Sequence, residues 1–233
     1  MVTVIPVPDL EELTTRAAEH TRDVISAAQT AGDGYARIVL TGGGAGIGTL
    51  RKLRELDNVD WSRVHVFFGD ERNVPASHSD SNEGQAREAL LDHVGIPEEH
   101  IHSWQLGELP LDAAVTAYAE TLAEFAPQGF DLHFLGMGGE GHINSLFPHT
   151  AAVREQQALT LAVTDSPKPP AERGTLTLPA VAQANHVWLL VSGAEKAEAA
   201  AQVIAGAPAE DWPAAGAHGK QETLLFLAAD AQR

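Results

Sequence analysis

The chain has 233 residues, 44% of them hydrophobic, which suits one large α/β domain or two small ones with a substantial core. A formal charge of −17, with 15 Lys and Arg against 32 Asp and Glu, argues against nucleic acid or an anionic membrane surface as partner, since both need a basic face. Cysteine is absent, which excludes disulfides, thiolate catalysis and Cys-based zinc sites. No segment approaches the ~20 apolar residues of a membrane span. The start MVTVIPVPDLEELTTR lacks a basic region followed by a long apolar one, so the cytoplasm is the expected location.

In chain order, a short N-terminal strand precedes a helix over Asp9 to Ala31, whose apolar positions Leu10, Leu13, Ala17, Val24, Ile25 and Ala28 are mostly at helical spacing. Asp9 is its expected N-cap, and Gly32 to Gly34 its stop. Ala36 to Thr41 reads as a buried strand, after which Gly42, Gly43, Gly44, Gly46 and Gly48 carry the chain into a helix through about Leu53. That glycine loop fails both familiar phosphate templates: its glycines do not fall at i, i+2 and i+5, and Thr49 stands where a P-loop needs Lys. Free amides at a helix N-terminus nevertheless bind anions without any side chain, and a plain strand-to-helix turn explains the same glycines.

Val64 to Gly69 is the next strand, and it delivers Asp70, Glu71 and Arg72 ahead of a turn at Asn73 to Pro75. These charges read as a site or as a solvated turn in which Asp70 pairs with Arg72. Asp80 or Ser81 caps a helix expected through Val94, and Asp112 caps another through about Phe125. His78 with Asp80, or His100 with His102, lacks a third metal ligand at a telling distance. Leu159 to Val163 suggests a further strand leading to Ser166–Pro170, where prolines flank Lys168. This loop either presents one lysine to a ligand or is a solvated linker. His186 to Val191 is a buried strand, followed by an alanine-rich helix that stops near Gly206. A cation in its first turn, Lys196, opposes the helix dipole by ~0.3–1 kcal/mol, which hints at an offsetting anion. Lys220 follows Gly219, and Thr223 to Ala228 is the last strand.

The stretch Phe130 to Pro148 carries the densest chemistry. An apolar run, Phe130 to Leu135, passes into Gly136, Gly138, Gly139 and Gly141, then His142, whose imidazole titrates near neutral pH. Gly136, Gly138 and Gly141 match G-x-G-x-x-G with Asp165 downstream, but Pro148 would interrupt the helix a dinucleotide site requires. No G-x-S-x-G elbow supports Ser145 as a nucleophile. Alternating strands and helices predict a mostly parallel sheet with helices on both faces, with a site where loops leave the strand ends.

Four segments in order, FFGDERNVP followed by His78 and DSN, FDLHFLGMGGEGHINSLFP, SPKPPAERGTLTLP and VSGAEKAEA, resemble the glucosamine-6-phosphate isomerase/6-phosphogluconolactonase family over nearly the whole chain. The resemblance implies one such domain over residues 1–233, with the α/β fold that family shares with the glucosamine-6-phosphate deaminases. It further implies hydrolysis of 6-phospho-D-glucono-1,5-lactone in the oxidative pentose phosphate pathway, with a small sugar-phosphate lactone as partner and no obligatory metal or other cofactor. Position by position it places the catalytic set on His142, Asp70 and Arg72 and the phosphate cations on Arg173 and Lys196. Gly42, Gly43 and Gly44 supply amides, and Lys168 is a further candidate contact. Glu140 stands where many members have Asp, and Gly44-Ala45 where hydroxyl residues or Pro are common. A sugar-phosphate deaminase-isomerase remains an alternative, although Asn144 to Pro148 offers no carboxylate after the loop histidine; so does a non-catalytic sugar-phosphate sensor, although such regulators usually carry a basic segment.

Overall fold

The computed structural model describes residues 2–232; Met1 and Arg233, the two ends of the expected 1–233 domain, lie outside the described residues. The chain begins with β1 (Thr3–Val7) and α1 (Leu10–Gln29), and Asp9 caps the helix by accepting a 2.9 Å bond from the Glu12 amide. β2 (Ala36–Leu40) runs into α2 (Gly43–Arg54), and β3 (Val64–Phe68) is separated by Gly69 alone from β4 (Asp70–Arg72). Then come α3 (Asn82–Ala89), α4 (Leu111–Phe125), β5 (Phe130–Gly136), β6 (Thr160–Val163), β7 (Arg173–Leu176), α5 (Leu178–Val181), β8 (Ala184–Val191), α6 (Ala197–Ala205) and β9 (Glu222–Ala228). Among the described residues, no helix is long and apolar enough to cross a membrane.

Six strands form one parallel sheet in the order β1-β9-β8-β5-β2-β3. Consecutive residues of β3, and Leu132 to Leu135 of β5, are all buried, so both faces of the sheet are covered. The order fixes where a ligand can sit. From β2 the chain moves outward to β3, whereas from β5 it moves the other way to β8, so a crevice opens between the carboxyl ends of β2 and β5. The two glycine-rich loops leave those two strands.

Four local expectations change. A second, antiparallel sheet in the order β4-β7-β6 was not foreseen: Asp70–Arg72 is a strand, registered so that Arg72 faces Arg173, and not the opening of a solvated turn. α2 begins inside the glycine run, at Gly43. α3 is capped by Ser81 and stops at Ala89, with only a short 3-10 turn beyond it. Pro110 occupies the cap of α4, leaving Asp112 in its first turn without a capping bond.

The core holds three histidines. His65 and His102 share a 2.9 Å hydrogen bond and stack with ring centroids 5.2 Å apart, and burial pushes both down to about 4. His133, fully buried with neither ring nitrogen hydrogen-bonded, is pushed to about 3 by the same cause. These folded-state values lie below that of an unfolded histidine, so the unfolded chain binds more protons below pH ~6.5 and stability falls with acidification from there. Urea unfolding midpoints should therefore drop steadily between pH 7 and 4, with a shallower drop in His133→Leu; an unchanged slope in that variant would contradict the assignment.

Candidate active site

The site is built on the β2–β5 crevice. Gly42 is the N-cap of α2 and has an extended backbone, and no side chain caps the helix there, so its first amides face the opening. A Cβ on Gly42 would come within 2.2 Å of Asn82 Oδ1, which explains glycine at that position better than any need for flexibility. One cavity of about 160 Å³ brings together Gly42, Gly43, Gly44, Asp70, Arg72, His142, Arg173 and Lys196. Lys196 reaches it from the N-cap of α6, at the end of a short 3-10 turn.

Asp70 and Arg72 do not pair with each other. Arg72 donates through Nη1 to Asn82 Oδ1, and Asn82 Nδ2 donates to the Asp70 carbonyl at 2.8 Å and to its Oδ1 at 3.0 Å. Asn82 is held in turn by Glu71, whose carboxylate accepts from the Asn82 and Glu83 amides at 2.8 Å each, from the Arg72 amide at 2.8 Å and from Ser81 Oγ at 2.9 Å. Burial raises the Glu71 carboxyl, and those four donors pull against it. Asp70 Oδ2 accepts from Ser145 Oγ at 2.7 Å and lies 3.9 Å from Arg173 Nη1. Sequence reasoning gave Asn82 no role, and Glu71 only a place among three charges that read as a site or a solvated turn. The only signal for Asn82 was its place in the DSN segment, which says nothing about where its amide points.

Arg173 lines the cavity, but its Nε and Nη2 are spent on backbone: they donate to the carbonyls of Pro170 (3.1 Å), Lys168 (2.9 Å) and Pro169 (3.2 Å). Burial lowers its pKa, which Asp70 opposes. Lys168 does not line the cavity. Its ammonium instead lies 2.8 Å from Glu140 Oε1 and 3.3 Å from His142 Nδ1.

His142 follows Gly141, at φ +79°, and Gly138, where a Cβ would come within 2.1 Å of His142 Nδ1. The ring stacks on Phe147 with centroids 4.6 Å apart, and Nδ1 is 3.1 Å from Glu140 Oε1. Burial, then the charge of Lys168, pushes the imidazole below its usual range, while Glu140 and Asp70 act in the opposite sense. Burial would raise Glu140, yet the hydrogen bond from Lys168 and its neighbours hold it at about 2. The site thus offers an imidazole that burial biases toward its neutral form, with Nδ1 engaged, in one cavity with the start of α2, Arg72, Arg173 and Lys196.

Fold and cavity together define an α/β protein whose glycine-loop helix N-terminus, cationic side chains and loop histidine line one cavity at the switch point of a parallel sheet. Residues 8–226 match the family described as glucosamine-6-phosphate isomerases/6-phosphogluconolactonase, and the chain belongs to that family. It is similar to the 6-phosphogluconolactonase of Mycobacterium tuberculosis, 50% identical over 96% of this chain and 94% of that protein. The corresponding Streptomyces coelicolor protein is 41% identical over 83% of this chain and 80% of its own length. A crystal structure of 6-phosphogluconolactonase from Thermotoga maritima matches with a TM-score of 0.87 at 27% identity, covering 98% of this chain and 100% of that one.

Asn82→Ala deprives Asp70 and Arg72 of a shared buried partner. It should lower the unfolding free energy by about 1–3 kcal/mol in urea titration, and no change would contradict the clamp.

Proposed function

We propose that this chain hydrolyses 6-phospho-D-glucono-1,5-lactone to 6-phosphogluconate, with His142 activating the attacking water. The observation that carries the reading is that one cavity is lined by His142 together with the start of α2, Arg72 and Lys196. Relatives that match over most of their length bear the lactonase name.

A lactone is an activated ester, so no covalent nucleophile is needed. The phosphate rests on the amides of Gly42 to Gly44 at the positive end of α2, with Lys196 and Arg72 beside it. Held there, the ring carbonyl C1 meets a water on the Nε2 side of His142, the nitrogen left bare when Nδ1–H donates to Glu140. Water attacks C1 as its proton passes to Nε2. The tetrahedral oxyanion then collapses, the bond from C1 to the ring oxygen breaks, and that oxygen takes the proton back from the imidazolium. Asp70 acts from the side, holding Arg72 through Asn82 and the histidine loop through Ser145. Arg173 serves chiefly by fixing the loop at 168–170.

Hydrolysis of this lactone places the reaction in the oxidative pentose phosphate pathway, and the cytoplasm is its proposed setting. The side chains after His142 argue against the deaminase alternative: Asn144 sits on the cavity wall and Ser145 bonds Asp70, so neither supplies a carboxylate for sugar-ring opening.

The test is acid release from freshly made 6-phosphogluconolactone, corrected for spontaneous hydrolysis. His142→Ala should lower kcat by about 10²- to 10⁴-fold. In the unmutated protein kcat/KM should fall only on the acid side, with its midpoint below the ordinary histidine value, since the imidazole must be unprotonated. Ammonia release from glucosamine 6-phosphate without lactone hydrolysis would instead make the chain a deaminase. Saturable sugar-phosphate binding with neither activity would make it a sensor.

A further inference from the structure

Lys168 stands apart from the other cations of the site because it does not line the cavity and instead contacts Glu140 and His142 Nδ1. Its backbone is fixed from two directions. The buried Arg173 guanidinium donates to the carbonyls of residues 168, 169 and 170, while Ser166 Oγ donates to the Lys168 carbonyl at 2.9 Å and accepts from its amide at 3.2 Å. From that anchored position the ammonium reaches Glu140 Oε1 at 2.8 Å, lies 3.3 Å from His142 Nδ1 and sits 5.9 Å over the Phe147 ring on which His142 stacks.

Glu140 alone would be a poor companion for a residue that must stay unprotonated. A carboxylate 3.1 Å from Nδ1 orients the ring, accepting its N–H and fixing the tautomer with Nε2 bare, but it also favours the imidazolium. A cation on the same carboxylate cancels the second effect and leaves the first in place. We propose that Lys168 is a positioning residue for His142: by neutralising Glu140 it lets the carboxylate orient the ring without charging it. The role rests on the reading of His142 as the group that accepts the proton of water.

The charges facing His142 from neighbouring elements make Lys168 the decisive one. Asp70 of β4 favours the imidazolium, Arg72 donates to Asn82, Arg173 donates to loop carbonyls, and Lys196 lines the same cavity. Glu195 packs beside Gly139 through its backbone and stem. Among the described residues, Lys168 is the cation that pairs with Glu140 and lies within hydrogen-bonding distance of the ring.

The experiment is an NMR titration of the His142 imidazole in the intact protein, with the signal assigned by its loss in His142→Asn, run alongside the pH dependence of kcat/KM. Lys168→Met should raise the His142 titration midpoint by about one pH unit, and Glu140→Gln should lower it by a similar amount. The double variant should return it close to the starting value, and Lys168→Arg should leave it there. A midpoint that stays put, or falls, in Lys168→Met overturns the proposal. If the NMR midpoints move as stated while the acid limb of kcat/KM does not follow them, Lys168 tunes the ring as proposed but His142 is not the base of the reaction.

Discussion

The site depends on the carboxylate of Asp70, where its loops meet. One oxygen receives Asn82, which also holds Arg72; the other receives Ser145 and faces Arg173. Through Ser145 it fixes the segment carrying His142, and through Arg173 it reaches the loop carrying Lys168. A buried carboxylate is costly unless its hydrogen-bonding capacity is met, and here that requirement ties together four stretches far apart in sequence. Glu71, one residue on, repeats the device by gathering the amides at the start of α3.

The proposed substrate is anionic while the chain carries a net charge of −17. Long-range attraction is unfavourable, so binding must come from local groups that are already aimed. The N-terminus of α2 meets that condition without a side chain, and Arg72 meets it because Asn82 has fixed its guanidinium before any ligand arrives. Burial, and then the charge of Lys168, favour the neutral form of the histidine that shares this cavity.

Much of this was legible in the sequence because the signals were local. The Asp9 cap, the apolar runs that became β2, β3, β5 and β8, and the glycine-to-histidine loop after β5 each depend on neighbouring residues alone. β4 escaped notice because three charged residues show no alternation; their strand exists only through pairing with β7, about a hundred residues later. Asn82 and Glu71 escaped for a related reason: a buried amide or carboxylate looks like any exposed one until its partners are known. Lys168 reads from sequence either as a rigidly presented cation or as part of a solvated linker; what decides is Arg173 gripping three carbonyls of its loop, a contact that composition does not encode.

The central claim is that one imidazole faces the reacting carbon while the amides and cations across the cavity hold the far end of the sugar. A crystal structure with 6-phosphogluconate bound tests it most directly. The account predicts the phosphate on the amides of residues 42–44 beside Arg72 and Lys196, and the product carboxylate within hydrogen-bonding reach of His142 Nε2. A phosphate seated elsewhere, or a carboxylate remote from that ring, would contradict it.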